Sequence, residues 1–400
     1  MTEYSLRIIF YYIRCDLIYI LSHLIPAKKN LWVFGSWFGE KYWGNARYFF
    51  EYVSQYCPDI KAVWLTRDDR VREYVSSKGY AVYDSYSLKG IWLSMRAGCC
   101  IITHNLYDVN EYATVTRKTK VVQLRRGTPF RTVPDCDEII QSKLSCPRTI
   151  PLFKRYLYNW PRAMVIATSD NVAKVYTDHF RVPIKDVVVT GYPRNDQFFK
   201  GVDFSDPLLK MIAPHIKKYS KTGIFMPHDD AGHFFAKLKD INRQLQTIDT
   251  LLLVKPYQET ERYLSLRSQS NIFFIKESDC IGDIYPLLMM TDFLITDYAS
   301  VFFDYLLLVK PVLFVPFEIQ PEQIGFFYNY DEVTPGPKAK NWRETIEHIS
   351  ALTRDQSVYA QQYEQVCRTF NEVRDATACQ RVYMAVCSYC GLRPRKELTP

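Results

Sequence analysis

The segment Thr296-Asp297-Tyr298-Ala299-Ser300 sets hydroxyls and a carboxylate directly before the apolar helical pattern VFFDYLLL. A helix start attracts anions, because its first N–H groups have no intrahelical partner and the peptide dipoles add up there. Asp297 or Ser300 can also cap that helix, and capping is compatible with anion binding. Arg125-Arg126-Gly127-Thr128-Pro129 places two guanidinium groups beside a glycine turn. Glycine permits close backbone approach and arginine gives bidentate contacts to phosphate. Lys255 adds a point charge, and Arg194 and Asp304 complete the set of candidate phosphate-binding groups with Gly127, Thr128, Tyr257, Thr296, Asp297 and Ser300. The imidazoles available as bases are His104, His228 and His233, with Asp229 and Asp230 beside His228. The chain has no GxxxxGK[ST], HExxH or GxSxG, which argues against P-loop ATPases, zinc proteases and ordinary serine hydrolases. No DxD-like pattern ends a strand, so no metal and no cofactor is expected.

These residues become meaningful through the elements that carry them. Runs rich in Val, Ile, Leu and Phe without alternation fit strands buried on both faces. They occur at 31–36, 62–66, 80–84, 99–104, 121–124, 164–168 and 187–191, and again at 223–227, 251–256, 271–275, 292–296 and 311–316. Helical patterns between them give βαβ units and parallel sheets. The fold expected is α/β, with two Rossmann-like domains and an N-terminal amphipathic helix. The domains expected are 1–29, a membrane-association helix; 30–205 and 206–342, the two Rossmann-like domains; and 343–400, two helices and a tail. In open parallel sheets ligands bind beyond the carboxyl ends of the strands. The polar motifs fall in order at seven such ends, which places a site in a cleft between the domains.

Length and charge agree with this reading. The 400 residues exceed one ordinary domain, and 48% hydrophobic with 24% charged residues is globular composition. Residues 117–162 hold eleven Lys/Arg against three Asp/Glu, which accounts for the whole formal excess of +8. A single basic block favours an anionic ligand or surface, and no nucleic-acid-binding module accompanies it. Residues 5–26 are apolar and aromatic but broken by Arg7, Arg14 and Asp16, too short a run to span a bilayer. With Lys28 and Lys29 following, the segment suits an anionic membrane surface, or else packs on its own domain. No cleavage site follows it, so a cytoplasmic, reduced protein is expected, its eleven cysteines free thiols despite Cys387-Ser388-Tyr389-Cys390.

The order RGTP, GYPRND, an M-P-His turn, Lys-Pro, DIYPLL and TDFLITDYASVFFDYLLLVKPVLF resembles the CDP-glycerol glycerophosphotransferases of teichoic acid and capsule synthesis, over residues 30–340. FGSWFGEKYWGNARYFFEY (34–52) and GFFYNYDEVTPGP (325–337) extend the similarity. The resemblance implies transfer of glycerol phosphate, or a related polyol phosphate, from a CDP-activated donor to the hydroxyl of a lipid-linked or polymeric acceptor, releasing CMP. It implies the GT-B type of two-domain fold, with 30–205 the acceptor domain and 206–342 the donor-nucleotide domain, in a peripheral protein on the cytoplasmic face of the membrane. The family pattern has histidine where this chain has Arg126, and Lys-Pro-His-Pro where it reads Lys255-Pro256-Tyr257-Gln258. Arginine keeps its proton near neutral pH, so Arg126 suits phosphate rather than a base's task. The catalytic set expected is therefore His104, Arg126, His228 and Asp230. Two alternatives stay open: another nucleotide-activated donor such as a sugar, and a nucleotide-binding member without catalysis.

Overall fold

The computed structural model describes residues 3–110, 118–132, 163–228, 231–256, 259–279, 283–317, 324–355 and 357–394. It contains two wholly parallel sheets. The first runs β3-β2-β1-β4-β5-β6-β7, from β1 (Lys28–Phe34), β2 (Lys61–Thr66), β3 (Val82–Asp84), β4 (Ala97–Ile102), β5 (Lys120–Gln123), β6 (Ala163–Ala167) and β7 (Val187–Val189). The second runs β10-β9-β8-β11-β12, from β8 (Lys221–Met226), β9 (Thr250–Val254), β10 (Ile272–Phe274), β11 (Phe293–Thr296) and β12 (Val312–Phe314). All twelve strand-like runs of the sequence form strands. The central strands β4 and β9 are buried along their whole length, which is why their sequences lack alternation.

Helices cover both faces, and their starts follow local chemistry. Asp68 caps α3 (Asp69–Ser77), Ser87 caps α4 (Leu88–Arg96) and Ser169 caps α5 (Asp170–Asp178), each side chain accepting a first-turn N–H. The two sheets meet at an aromatic seam. Phe130, beyond β5, contacts the rings of Phe302, Phe303, Phe326 and Tyr330 at centroid distances of 4.9–6.1 Å.

One expectation changes at the C-terminal end. Residues 343–390 form three helices rather than two: Trp342–Arg354, Ala360–Phe370 and Ala378–Cys390. The breaks are made by Asp355 and Asp375, whose carboxylates accept the N–H two residues onward (2.8 Å each) and turn the chain. The last helix returns to the first sheet: Asp196 accepts the N–H groups of Ala378 (2.8 Å) and Cys379 (2.9 Å), and Tyr383 meets Trp32 at 6.0 Å. The eight cysteines among the described residues are free and buried.

At the other end, α1 (Glu3–Leu24) lies against α4 through Cys15, Tyr12, Ile18 and Tyr19, which meet Met95, Tyr86 and Ile91. Its opposite face leaves Phe10, Ile13, Leu17, Ile20, Leu21 and Leu24 exposed. Among the described residues no helix is long and apolar enough to cross a membrane.

Candidate active site

The carboxyl ends of both sheets face one another, and the loops beyond them are joined by polar contacts. The centre is the loop after β5. Arg125 takes a left-handed conformation (φ 57°), and its guanidinium lies over the rings of Tyr176 (4.9 Å) and Phe180 (4.6 Å). It is therefore spent on packing rather than on the cleft. Arg126 is turned outward and exposed. Asn45 holds the loop from below, donating to the carbonyls of Leu124 (2.9 Å) and Arg125 (3.1 Å).

Arg194 clips this loop to the second sheet. Its guanidinium donates to the Arg126 carbonyl and pairs with Asp304, whose carboxylate also accepts Tyr285 Oη (2.6 Å) and Asn195 Nδ2 (3.0 Å). Burial opposes the Arg194 charge, but Asp304 beside it outweighs burial and holds the pKa up. Arg194 and Asp304, expected on donor phosphate, are thus committed to each other and to positioning. Gly127 lies against this clip: a Cβ there would stand 2.7 Å from Arg194 Nη2 and 3.5 Å from Ser300 Oγ. Glycine is what lets the two loops close. Thr128 is buried, and its hydroxyl has no hydrogen-bond partner among the described residues.

The turn after β8 is fixed by β11. Thr296 is fully buried and donates to the Met226 carbonyl (2.8 Å); it is not a surface for ligand. Asp297 accepts the His228 N–H through both oxygens (2.8 and 3.0 Å) and the Tyr298 N–H. Neither Asp297 nor Ser300 caps the helix that follows. That helix is a single turn, Val301–Tyr305, continued as a 3-10 turn over Leu306–Leu308, because Pro311 at the start of the next strand forbids a longer one. His228 Nδ1 lies 2.5 Å from Arg131 Nη1, across the cleft.

A second cluster sits beyond β1 and β9. Lys255 pairs with Glu259 (3.1 Å) and Glu277 (3.7 Å), and Glu277 also takes Lys41 from the first sheet at 2.6 Å. Lys41 lies over the rings of Trp37 (4.7 Å) and Trp43 (4.2 Å). Nearby, the Gly44 N–H donates to buried Asp283 (2.6 Å).

His104 stands beyond β4. Its Nδ1 is 2.9 Å from Thr103 Oγ1, and Asp108 accepts the N–H groups of Thr103 (2.7 Å), His104 (2.8 Å) and Phe38 (2.7 Å). Burial, reinforced by Arg126, Arg125 and Lys41, pulls its pKa down to about 3. His233 is exposed on the short helix Gly232–Ala236. Asp230 and Tyr257, with Asp229, Gln258 and most of the basic block, lie outside the described residues.

A family model described as CDP-glycerol:poly(glycerophosphate) glycerophosphotransferase matches residues 17–388. The chain belongs to this family. It is 25% identical over 352 residues to a teichoic acid poly(glycerol phosphate) polymerase of Bacillus subtilis, covering 84% of this chain and 46% of that protein. It is 26% identical over 351 residues to one of Bacillus spizizenii, covering 84% and 86%. The chain thus spans about half the length of the first relative and most of the second. Its fold is that of the wall teichoic acid polymerase TagF, with TM-score 0.74 at 21% identity, covering 98% of this chain and 99% of that one. This is the two-domain, GT-B-like α/β fold expected of a glycerophosphotransferase.

Within this member of the family no local pattern marked Asn45, Lys41, Glu259, Glu277, Asp283 or Asp108 individually. Asn45 lies inside the WFGEKYWGNARYFFEY stretch whose family likeness was legible, so that stretch was the available signal. The two glutamates sit in ordinary polar loops.

Proposed function

We propose that this chain transfers glycerol phosphate, or a related polyol phosphate, from a CDP-activated donor to a hydroxyl of a lipid-linked or polymeric acceptor, with CMP leaving. The product is a cell-surface polymer of the teichoic acid or capsule kind. The observation that carries the reading is membership of the glycerophosphotransferase family together with a cleft in which the exposed Arg126 adjoins Gly127, whose Cβ position would lie 3.5 Å from Ser300 Oγ. Such a reaction needs mainly positioning and neutralisation of charge on the diphosphate.

In this reading Arg126, Gly127, Thr128 and Ser300 receive the donor diphosphate, with Lys255 and Tyr257 on its flank. Thr296, Asp297, Arg194 and Asp304 hold those groups in place. His104, His228 and Asp230 are the proton-handling candidates. Residues 30–205 present the acceptor, 206–342 hold the donor nucleotide, and 343–400 tie the halves together. The exposed apolar face of α1, with Arg14, Lys28 and Lys29 exposed nearby, rests on the anionic cytoplasmic leaflet.

The test is CMP release from CDP-glycerol by the purified full chain, with and without a membrane-lipid acceptor extract. Acceptor-dependent release is expected. Binding of CDP-glycerol without release refutes the transfer reading in favour of a non-catalytic member. Absence of both refutes the donor.

A further inference from the structure

We propose that His104 is the general base of this transfer, its Nε2 taking the proton of the acceptor hydroxyl while Thr103 and Asp108 fix the ring. The inference rests on the transfer reading above.

Proton bookkeeping carries the argument. Thr103 Oγ1 lies 2.9 Å from His104 Nδ1 and 3.1 Å from Asp108 Oδ2. A hydroxyl has one proton, and a carboxylate only accepts. The Thr103 proton therefore points at Asp108, and Nδ1 must donate to Thr103. This tautomer leaves the lone pair on Nε2. Among the described residues that nitrogen is buried with no hydrogen-bond partner, and the side chain is only 5% exposed. A buried, unpaired acceptor is costly and is found where function maintains it. His228 has the opposite assignment. Its Nδ1 faces an arginine N–H, so Nδ1 accepts and Nε2 carries the proton, which suits a donor to phosphate and not a base.

The surroundings of His104 are over-determined in a way a packing histidine does not need. Its ring lies between Trp37 (4.9 Å) and Phe38 (4.8 Å), two successive aromatics in the left-handed region (φ 49° and 57°). Bulky residues rarely adopt that conformation, and where it persists it clusters at functional sites. The Phe38 N–H is held by Asp108, the same carboxylate that fixes the base. Ring wall and base are thus one unit.

The charged groups acting on the ring are Lys41 from the loop after β1, Arg126 and the packed Arg125 from the loop after β5, and Asp108 from its own loop. Burial first, and these cations after it, keep the imidazole unprotonated. A donor diphosphate seated on Arg126 offsets part of that charge, which makes Nε2 more basic once the substrate is in place. In the step itself the acceptor oxygen bonds to the phosphorus bearing glycerol. The bond from that phosphorus to the bridging oxygen breaks, and CMP leaves with the electron pair. The hydroxyl proton passes to Nε2, and the imidazolium returns it to the CMP phosphate or to water. Thr103 and Asp108 are positioning residues and touch no substrate.

The test uses the full chain with CDP-glycerol and an acceptor extract, and the variants His104→Gln and Thr103→Val. His104→Gln lowers kcat by about 10²–10⁴-fold, while CDP-glycerol affinity by calorimetry stays within about twofold of the parent, as expected for a loss confined to the transition state. Thr103→Val lowers kcat less and shifts the acid limb of the kcat–pH profile, which a packing defect does not do. Undiminished kcat in His104→Gln overturns the base. Nitrogen-15 NMR of the unmodified protein reads the tautomer without turnover: a proton on Nδ1 is expected, and a proton on Nε2 overturns the proposal. If the unmodified protein shows the Nδ1 proton yet releases no CMP, the transfer reading has failed and takes the base with it.

Discussion

Asp304→Asn removes a buried negative charge while keeping nearly the same shape. Its partner Arg194 is 8% exposed at the side chain and Asp304 1%, so water cannot take over the guanidinium. Breaking a buried pair from one side costs about 3–5 kcal/mol, because the surviving charge is left uncompensated. The amide also has one accepting oxygen where the carboxylate has two. It cannot serve Tyr285 Oη and Arg194 on one side and Asn195 Nδ2 on the other, which keeps the loss at the upper end of that range. For a cooperative unit of 150–250 residues each kcal/mol moves Tm by about 2–4 °C, so a fall of roughly 6–20 °C is expected. Thermal unfolding followed by near-UV circular dichroism reads it. The double variant Arg194→Met/Asp304→Leu removes both charges and recovers most of the Tm, since a buried pair and its apolar replacement are often close in free energy. It does not recover donor affinity, because the Arg126 carbonyl has lost the guanidinium that seats its loop. An Asp304→Asn variant that unfolds within about 3 °C of the parent refutes the claim that this pair holds the cleft together.

Thr128→Val replaces a buried hydroxyl that has no partner, so stability stays level or rises, while CDP-glycerol affinity falls by about 2–10-fold if the hydroxyl serves the donor; calorimetry showing equal affinity rejects that role. His104 titrates near 3 in the fold against 6.5 ordinarily, so below pH 6.5 the unfolded chain binds a proton that the folded one refuses. Stability contributed by the neutral ring is complete above 6.5 and lost as pH falls toward 3, about 2 kcal/mol of it by pH 5. Chemical denaturation at pH 7.5 and pH 5 shows a steeper loss in the parent than in His104→Gln, and parallel losses contradict the assignment. Leu17→Glu/Ile20→Glu changes two exposed positions of α1, leaves the far-UV spectrum intact and abolishes co-flotation with anionic vesicles; continued flotation moves the membrane contact elsewhere.

The strands were legible because each is a local run: β4 (AGCCII) and β9 (TLLLV) are apolar throughout, as burial on both faces requires. Their order placed the motifs at one end of each sheet, and so the cleft could be located before any contact was known. The pairings inside the cleft were not legible. Arg194 meets Asp304 across 110 residues and Lys41 meets Glu277 across 236, and no local pattern marks such partners. Arg125 and Arg126 read alike as a pair of cations. Only the left-handed backbone at Arg125, which sends one side chain onto Tyr176 and leaves the other exposed, tells them apart. The helix start at TDYAS was overestimated for a related reason. The sequence shows the residue types of a cap, but Asp297 is engaged by His228 from another strand, a competition visible only in three dimensions.

The cations of the cleft divide into two kinds by the burial of the carboxylates that hold them, and the division is physical. Arg194 is sealed in with a fitted partner, and withdrawing that partner would strand a charge, so it can position a loop but cannot exchange Asp304 for a ligand. Lys255, 10% exposed, is buried nearly as deeply as Arg194, but its partner Glu277 is 32% exposed at the side chain and is shared with Lys41, 22% exposed. There water and ions share the solvation, and exchanging a carboxylate for a phosphate oxygen keeps the number of charge contacts level. In the proposed function, a diphosphate entering this cluster has to compete with Glu277, which moderates its affinity and eases release of the product nucleotide. Because Glu277 bridges a lysine from each sheet, the same exchange replaces one link between the halves of the molecule with another. On that reading, substrate binding and the relative position of the two sheets are coupled through that carboxylate.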